Sequence, residues 1–279
     1  MLTELSPALI AEVERAAKLL CSKQCICILT GAGISAESGI PTFRDKQTGL
    51  WENYVAEDLA TPEAFARDPK LVWSWYQWRR QLVAEKKPNP AHDALAQWQY
   101  HSQSTEQQLT LITQNVDDLH EQAGSSVTHL HGNLWQNRCS QCDAPYQEQS
   151  RGSYNSADTI DYSDALITCS HCESYIRPDI VWFGEALPVQ AWQTAEDAAA
   201  NSEVFMSIGT SSLVYPAAGL AQLAKDNGAK IIEINPHPTP NTIVDITLAE
   251  KAGIIMPLLI QKITAIPHSQ LIFLRYWFT

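Results

Sequence analysis

CICILTGAGISAESG, residues 25–39, is the stretch that decides the fold. Cys25–Thr30 is a short, almost wholly apolar run, the composition of a parallel strand buried on both faces. It ends in Gly31-Ala32-Gly33-Ile34-Ser35-Ala36, which matches the G-x-G-x-x-G/A turn from a strand into a helix. Glycines there let backbone approach a pyrophosphate, and the helix N-terminus supplies N–H donors. The acidic residue expected about 20 positions later on a second strand has only Glu52 as a candidate, and Glu52 sits in Trp-rich sequence without strand character. On this motif alone, a glycine turn at a tight packing corner stays open beside a dinucleotide site.

Outward from that turn, apolar runs at 109–113, 204–208, 231–234 and 243–246 read as further strands. Helical periodicity covers 5–20, with Pro7 suited to a first turn, and 217–227, with Gly228 where a C′ glycine belongs. Strands alternating with helices predict an α/β chain with a Rossmann-like, doubly wound parallel sheet. Two segments break the alternation. Residues 48–85 are rich in aromatics and read as helices and loops; 135–178 carry paired cysteines in polar sequence, with 150–164 polar enough to read as disordered. The expected division is a sheet domain of 1–47, 86–134 and 179–279 beside a smaller inserted domain, made of the helical insertion 48–85 and the cysteine module 135–178.

Cys139 with Cys142, and Cys169 with Cys172, have the Cys-x-x-Cys spacing that lets two thiolates from one turn grip a tetrahedral metal. The 26 residues between the pairs exceed the usual ribbon spacing somewhat. One structural zinc suits the set, since four thiolates leave no open position for water. Cys21, Cys25 and Cys27 flank or lie in the first strand and read as small buried hydrophobes.

The chain has 279 residues and a formal net charge of -12, with acids outnumbering bases 31 to 19. Nucleic acid is therefore not expected as a partner, because phosphate contacts need clustered Lys and Arg; a basic protein segment is easier to accommodate. The first residues carry Glu4, Glu12, Glu14 and Arg15 instead of a basic start and an apolar run. No export signal is read there, so the expected location is cytoplasmic, with cysteines reduced or metal-bound. No stretch approaches the ~20 apolar residues that span a bilayer, and no membrane partner is expected. The apolar end at 272–279 reads as packing back on the domain.

Six motifs follow one another: GAGISAESGIPTFRD at 31–45, TQNVD at 113–117, HG at 131–132, WFGE at 182–185, GTS at 209–211 and IN at 234–235. With them the chain resembles, over nearly its whole length, the sirtuins, a family of NAD-dependent protein-lysine deacylases. The resemblance implies that Gly31, Ala32, Gly33, Ser35, Phe43 and Arg44 surround the phosphates and nicotinamide ribose of NAD. Gln114, Asn115 and Asp117 would line the nicotinamide side, Gly209, Thr210 and Ser211 the diphosphate and ribose, and Asn235 the adenine ribose, with Ala252 completing the set. Asn and Asp supply the donors and acceptors that a carboxamide and ribose hydroxyls require.

The same resemblance implies His131 as general base, with Asn115 as a second catalytic residue. Imidazole titrates near working pH and can take a proton from a hydroxyl. His92, His120 and His129 read as buried, satisfied core histidines. The implied reaction consumes NAD: the acyl-amide oxygen of a modified lysine attacks the anomeric carbon, nicotinamide leaves, and His131 activates the ribose hydroxyl that captures the acyl carbon. Water completes the reaction, giving free lysine, nicotinamide and O-acyl-ADP-ribose, and acyl-lysine proteins are the implied substrates. Oligomeric state is not read from the sequence.

Within LVWSWYQWRR, residues 71–80, Tyr76 and Arg79 are three apart and share a helix face. The pair resembles the Tyr-x-x-Arg of the desuccinylase and demalonylase branch, which binds the distal carboxylate of succinyl-, malonyl- or glutaryl-lysine. Ala60 matches the small residue of that branch's acyl pocket. An Arg fork with a phenol is an apt carboxylate clamp; without the family, the same stretch reads as a packed face with a solvated rim around Trp73, Trp75 and Trp78. A plain deacetylase, a mono-ADP-ribosyltransferase, a hydride-transferring dehydrogenase and a non-enzymatic zinc-ribbon adaptor are the competing classes.

Overall fold

The computed structural model describes residues 5–42, 55–146, 166–211, 214–239 and 242–265. Phe43, Arg44, Glu52, the polar stretch 150–164 and the apolar end 272–279 lie outside the described residues. Along the chain the strands are β1 (Cys25–Thr30), β2 (Gln108–Thr113), β3 (Thr128–His129), β4 (Gly132–Cys139), β5 (Pro145–Tyr146), β6 (Ile176–Ile180), β7 (Val204–Ile208), β8 (Lys230–Ile234) and β9 (Ile246–Leu248). The helices are α1 (Pro7–Ser22), α2 (Ala32–Ala36), α3 (Ala56–Leu59), α4 (Pro62–Arg67), α5 (Pro69–Ala84), α6 (Pro90–Ser102), α7 (Leu119–Gln122), α8 (Val189–Ala200), α9 (Leu220–Asp226) and α10 (Ala252–Thr264).

Six strands form a parallel sheet in the order β3-β2-β1-β7-β8-β9. β1 sits inside it, and its apolar composition follows from burial on both faces. Ile26 and Ile28 face a core with α1, α6 and α10, while Cys27 and Leu29 face the other core, with α8 and α9. The chain runs outward from β1 to β3 and returns to β7 on the far side of β1, so the strand order reverses there. The carboxyl ends of β1 and β7 therefore open a crevice, the place where open α/β sheets take ligands.

The sheet is flanked by a second, three-stranded antiparallel sheet, β5-β4-β6. Helices α4 and α5 lie against it. Thr61 and Asp68 cap them, accepting from the N–H groups of Ala64 and Leu71, and Pro62 and Pro69 start them. Arg80 ties α5 to β4. It is 1% exposed and donates to Leu134 O (2.7 Å), Asn137 Oδ1 (2.6 Å), Gln136 O (3.4 Å) and Gln77 Oε1 (3.1 Å).

Three expectations shift. The strand read at 243–246 is instead Ile246–Leu248. Asp245 explains the displacement: it accepts from the Ile231 N–H at 2.9 Å and pairs with Lys225 and Lys230, which pins 243–245 in a bend before the ladder begins. The helix read at 217–227 is a 3-10 turn, Ala217–Gly219, followed by α9, with Gly219 at the junction where helix propensity is weakest. The first helix runs two residues later than read, to Ser22. Among the described residues no helix is long and apolar enough to cross a membrane.

Candidate active site

The carboxyl ends of β1, β2, β7 and β8 bring the sequence motifs together. Gly31 and Gly33 donate their N–H groups to Ile208 O (3.0 Å) and Gly209 O (2.8 Å). A Cβ on Gly33 would lie 2.7 Å from Gly209 O, and one on Gly31 would lie 2.8 Å from Thr210 Cβ. These glycines thus let two loops meet, which is the packing-corner reading, and they do so at the crevice. The helix that follows, α2, is only five residues long.

Around this corner the polar side chains form one connected set. Asn115, buried, donates from Nδ2 to Gly31 O (3.2 Å) and Ser35 Oγ (3.1 Å), and Ser35 in turn donates to Asp117. Asp117 also accepts from the Leu119 N–H at 3.1 Å. Burial raises its carboxyl pKa against these hydrogen bonds. Gln114 Nε2 donates to Thr210 Oγ1 at 3.1 Å, and Asn235 Nδ2 donates to Thr210 O at 3.0 Å. Ala32 and Ser211 are half-buried at the same strand ends. Ala252 is buried at the first turn of α10, with its side chain in the core beside Ile34 and Ile255.

Four histidines near these residues have different environments. His131 has its Nδ1 2.9 Å from Gln114 O. A carbonyl only accepts, so Nδ1 carries the proton and Nε2 holds the lone pair. Burial lowers the pKa of His131, with the Gln114 carbonyl acting the other way. His129, two residues earlier, has acceptors on both nitrogens: Asn115 O at 2.9 Å and Glu121 Oε1 at 2.7 Å. Burial alone would lower its pKa, yet Glu121 raises it, and the ring serves as a charged brace.

His92 and His120 were expected to be satisfied core histidines and are buried as expected, their rings 4.9 Å apart. They are only half satisfied. His92 Nδ1 accepts from the Asn89 N–H and His120 Nε2 meets Thr30 Oγ1 at 3.0 Å, but His92 Nε2 and His120 Nδ1 have no hydrogen-bond partner among the described residues. Burial depresses their pKa values to about 4 and about 3, so both rings are neutral.

The other wall is apolar with a charged end. Ala60, Tyr76 and Trp182 share one buried cluster, and Ala60 O accepts from the Phe183 N–H at 2.9 Å. Tyr76 is 2% exposed, and the Trp182 indole N–H donates to its hydroxyl at 2.9 Å. The Arg79 guanidinium lies 5.0 Å from the Trp75 ring centroid and feels the charge of Asp117. Tyr76 and Arg79 are therefore brought together, and Asp117 joins them to the set around Asn115. Trp73 and Trp75 are buried, as the packed-face reading requires, and Arg80 and Arg79 lie over their rings.

Sequence reasoning did not isolate the Arg177–Glu185 pair. Arg177 donates to both carboxylate oxygens of Glu185, at 2.5 and 2.9 Å, and Glu185 accepts from the Trp182 N–H at 2.8 Å. Glu185 lies in the WFGE motif, but nothing in the sequence points to its partner.

The Sγ atoms of Cys139, Cys142, Cys169 and Cys172 all lie within 4.8 Å of one another. Cys139 and Cys169 are buried beside Trp73 and Ile176. Four converging sulfurs at this separation suit a tetrahedral ion with metal–sulfur bonds of about 2.3 Å, so the residues fit a structural zinc.

A protein-family model described as the Sir2 family matches residues 31–216. An NAD-dependent protein deacylase of Mycobacterium tuberculosis is 44% identical over 243 residues, covering 86% of this chain and 98% of the relative. Another from Pyrococcus furiosus is 47% identical over 253 residues, covering 89% and 97%. Among solved structures, a Sir2 homolog–NAD complex has a TM-score of 0.80 at 44% identity, covering 90% of this chain and 93% of the other. A Sir2 complex with a deacetylated p53 peptide and 3'-O-acetyl ADP ribose has a TM-score of 0.74 at 30% identity, covering 90% and 98%.

Proposed function

The chain belongs to the Sir2 family, and on that premise we propose that it is an NAD-dependent protein-lysine deacylase that prefers acidic acyl groups. Succinyl and malonyl lead, glutaryl follows, and acetyl is removed more weakly. NAD, as co-substrate, brings an electrophilic anomeric carbon and a leaving nicotinamide.

The observation that carries the reaction class is the state of His131. Its Nδ1–H is engaged by Gln114 O, its Nε2 makes no hydrogen bond to a described residue, and burial keeps the ring neutral. A neutral imidazole with an open Nε2 can take a proton from a ribose hydroxyl, a step that contributes ~10²–10⁴-fold. Asn115 is held by its Nδ2 on Gly31 O and Ser35 Oγ, which fixes the amide and leaves Oδ1 for a carboxamide donor. Gly31, Ala32, Gly33, Ser35, Gln114, Asp117, Gly209, Thr210, Ser211 and Asn235 would hold the rest of NAD, with Phe43, Arg44 and Ala252 completing the set.

The acyl preference rests on Tyr76 and Arg79. A guanidinium and a phenol on one helix face suit a carboxylate, and charge-assisted hydrogen bonds of this kind contribute about 1.5–3 kcal/mol each. Ala60 leaves room for the longer chain. An acetyl group lacks the carboxylate and forgoes that attraction, yet its carbonyl can follow the same reaction, so weaker deacetylation follows.

The test is mass spectrometry of matched succinyl-lysine and acetyl-lysine peptides, with and without NAD. Faster NAD-dependent loss of succinyl, together with O-succinyl-ADP-ribose and free nicotinamide, supports the proposal. Acetyl loss alone keeps the reaction and removes the acidic preference. ADP-ribose left on protein would shift the reading to an ADP-ribosyltransferase.

A further inference from the structure

We infer that Trp182 is a specificity-determining positioning residue: its indole N–H fills the acceptor side of the Tyr76 hydroxyl, so that the phenol proton is held for a ligand carboxylate. The inference rests on the acidic-acyl reading above.

An indole N–H donates and never accepts. At 2.9 Å from Tyr76 Oη it makes the phenol oxygen the acceptor of that pair, so the phenol's own proton must turn elsewhere. Among the described residues, Tyr76 Oη makes no other hydrogen bond. Burial pushes the Tyr76 pKa up to about 12, so the proton stays on the oxygen at working pH. A donor acting on the phenol oxygen also polarises the O–H bond and makes it a better donor itself.

Trp182 is built to hold that direction. It is 2% exposed, and its backbone N–H is fixed by Glu185 Oε2. The Arg177 guanidinium lies 3.3 Å from the indole centroid, and the Phe65 ring is 5.3 Å away. Arg177 is itself locked by both Glu185 oxygens and by Ile180 O at 2.9 Å. A cation stacked on the ring leaves the in-plane N–H pointing at Tyr76. The aim of the phenol is thus set by an internal ion pair before any acyl chain arrives. A carboxylate at the end of the acyl chain is an acceptor strong enough to use it, whereas the methyl of acetyl has none.

The experiment measures kcat and KM for matched succinyl-lysine and acetyl-lysine peptides. The proteins are wild type, Arg79→Met, Tyr76→Phe, Trp182→Phe, the Tyr76→Phe/Trp182→Phe pair, and a protein carrying the benzothiophene isostere of tryptophan at 182. The isostere keeps the ring and removes only the N–H, which covers the case in which Trp182→Phe fails to fold. The expected result is a fall of about tenfold in the succinyl-to-acetyl ratio of kcat/KM with the isostere, mainly through the succinyl KM. Tyr76→Phe should then add little, because both changes remove one shared contact. An unchanged ratio with the isostere, or losses that multiply in the double variant, overturns the inference. If Arg79→Met lowers the ratio and the isostere does not, only the role of Trp182 falls. If wild type does not prefer succinyl and Arg79→Met leaves the ratio alone, the acidic-acyl reading fails and takes this inference with it.

Discussion

The two sides of the crevice are held by different forces. On the sheet side, Asn115, Gln114, Thr210 and Asn235 are fixed by neutral hydrogen bonds to main chain and to one another, on strand ends that the parallel ladder already positions. On the other side, Tyr76 and Trp182 sit on a wall braced by the Arg177–Glu185 ion pair, the Arg80 fork and four converging cysteine sulfurs. Among the described residues, the cysteine end of the three-stranded sheet packs in a buried cluster of four, Trp73, Cys139, Cys169 and Ile176. So small a core cannot hold a wall alone, and small modules of this kind lean on metals. The difference teaches that the proposed cofactor side should survive losses that abolish the proposed acyl side.

Metal removal should break the comparison most severely. Stripping the module with a chelator, or Cys169→Ser, forfeits about 10 kcal/mol or more of metal binding. Deacylation should vanish and tryptophan emission should shift red as Trp73 and Trp182 become hydrated, while NAD-dependent protection of the sheet from proteolysis remains. Full activity after verified metal loss would falsify the metal's structural role.

His131→Ala should come next, with kcat lowered by ~10²–10⁴ and NAD binding, read by calorimetry, persisting. Activity near wild type would end the general-base assignment.

The neighbours Arg79 and Arg80 sharpen the contrast within one helix. Arg80→Met leaves Leu134 O and Asn137 Oδ1 bare in the interior and should cost about 3 kcal/mol of stability, read as a lower denaturant midpoint. Arg79→Met should instead act on chemistry, lowering the succinyl-to-acetyl ratio of kcat/KM by about tenfold or more. Equal loss for both acyl groups would mean that Arg79 only supports the fold.

The smallest effect is in pH. In the proposed reaction His131 is a neutral base, and burial holds its pKa below the ordinary 6.5. The acid limb of kcat/KM should therefore have its midpoint below that value, activity being lost only as pH falls through it. A midpoint at or above 6.5 would show that burial does not govern the ring.

Much of the sheet was legible because its rules are local. CICILT announced a strand buried on both faces, and the ordered motifs supplied the strand ends that meet at the crevice. What escaped depends on partners distant in sequence. Asp245 moved β9 by pairing with Lys225 and Lys230. His129 and His131 differ by two positions, and only Glu121 makes the first a charged brace while the second, on the Gln114 carbonyl alone, stays neutral. The half-satisfied pair His92 and His120 joins a helix cap to a short helix after β2, which no periodicity reveals.

By itself, the sequence determined the parallel sheet, its glycine turn and the two cysteine pairs, because periodicity and spacing act over a few residues; the candidate site residues followed only from the family motifs. Only the tertiary structure decided which way each polar atom points. Trp182 and Tyr76 stand 106 residues apart, and the donor that orients the phenol exists only once β6 and α5 pack together. Hydrogen-bond direction depends on where distant backbones meet, and that is settled by folding.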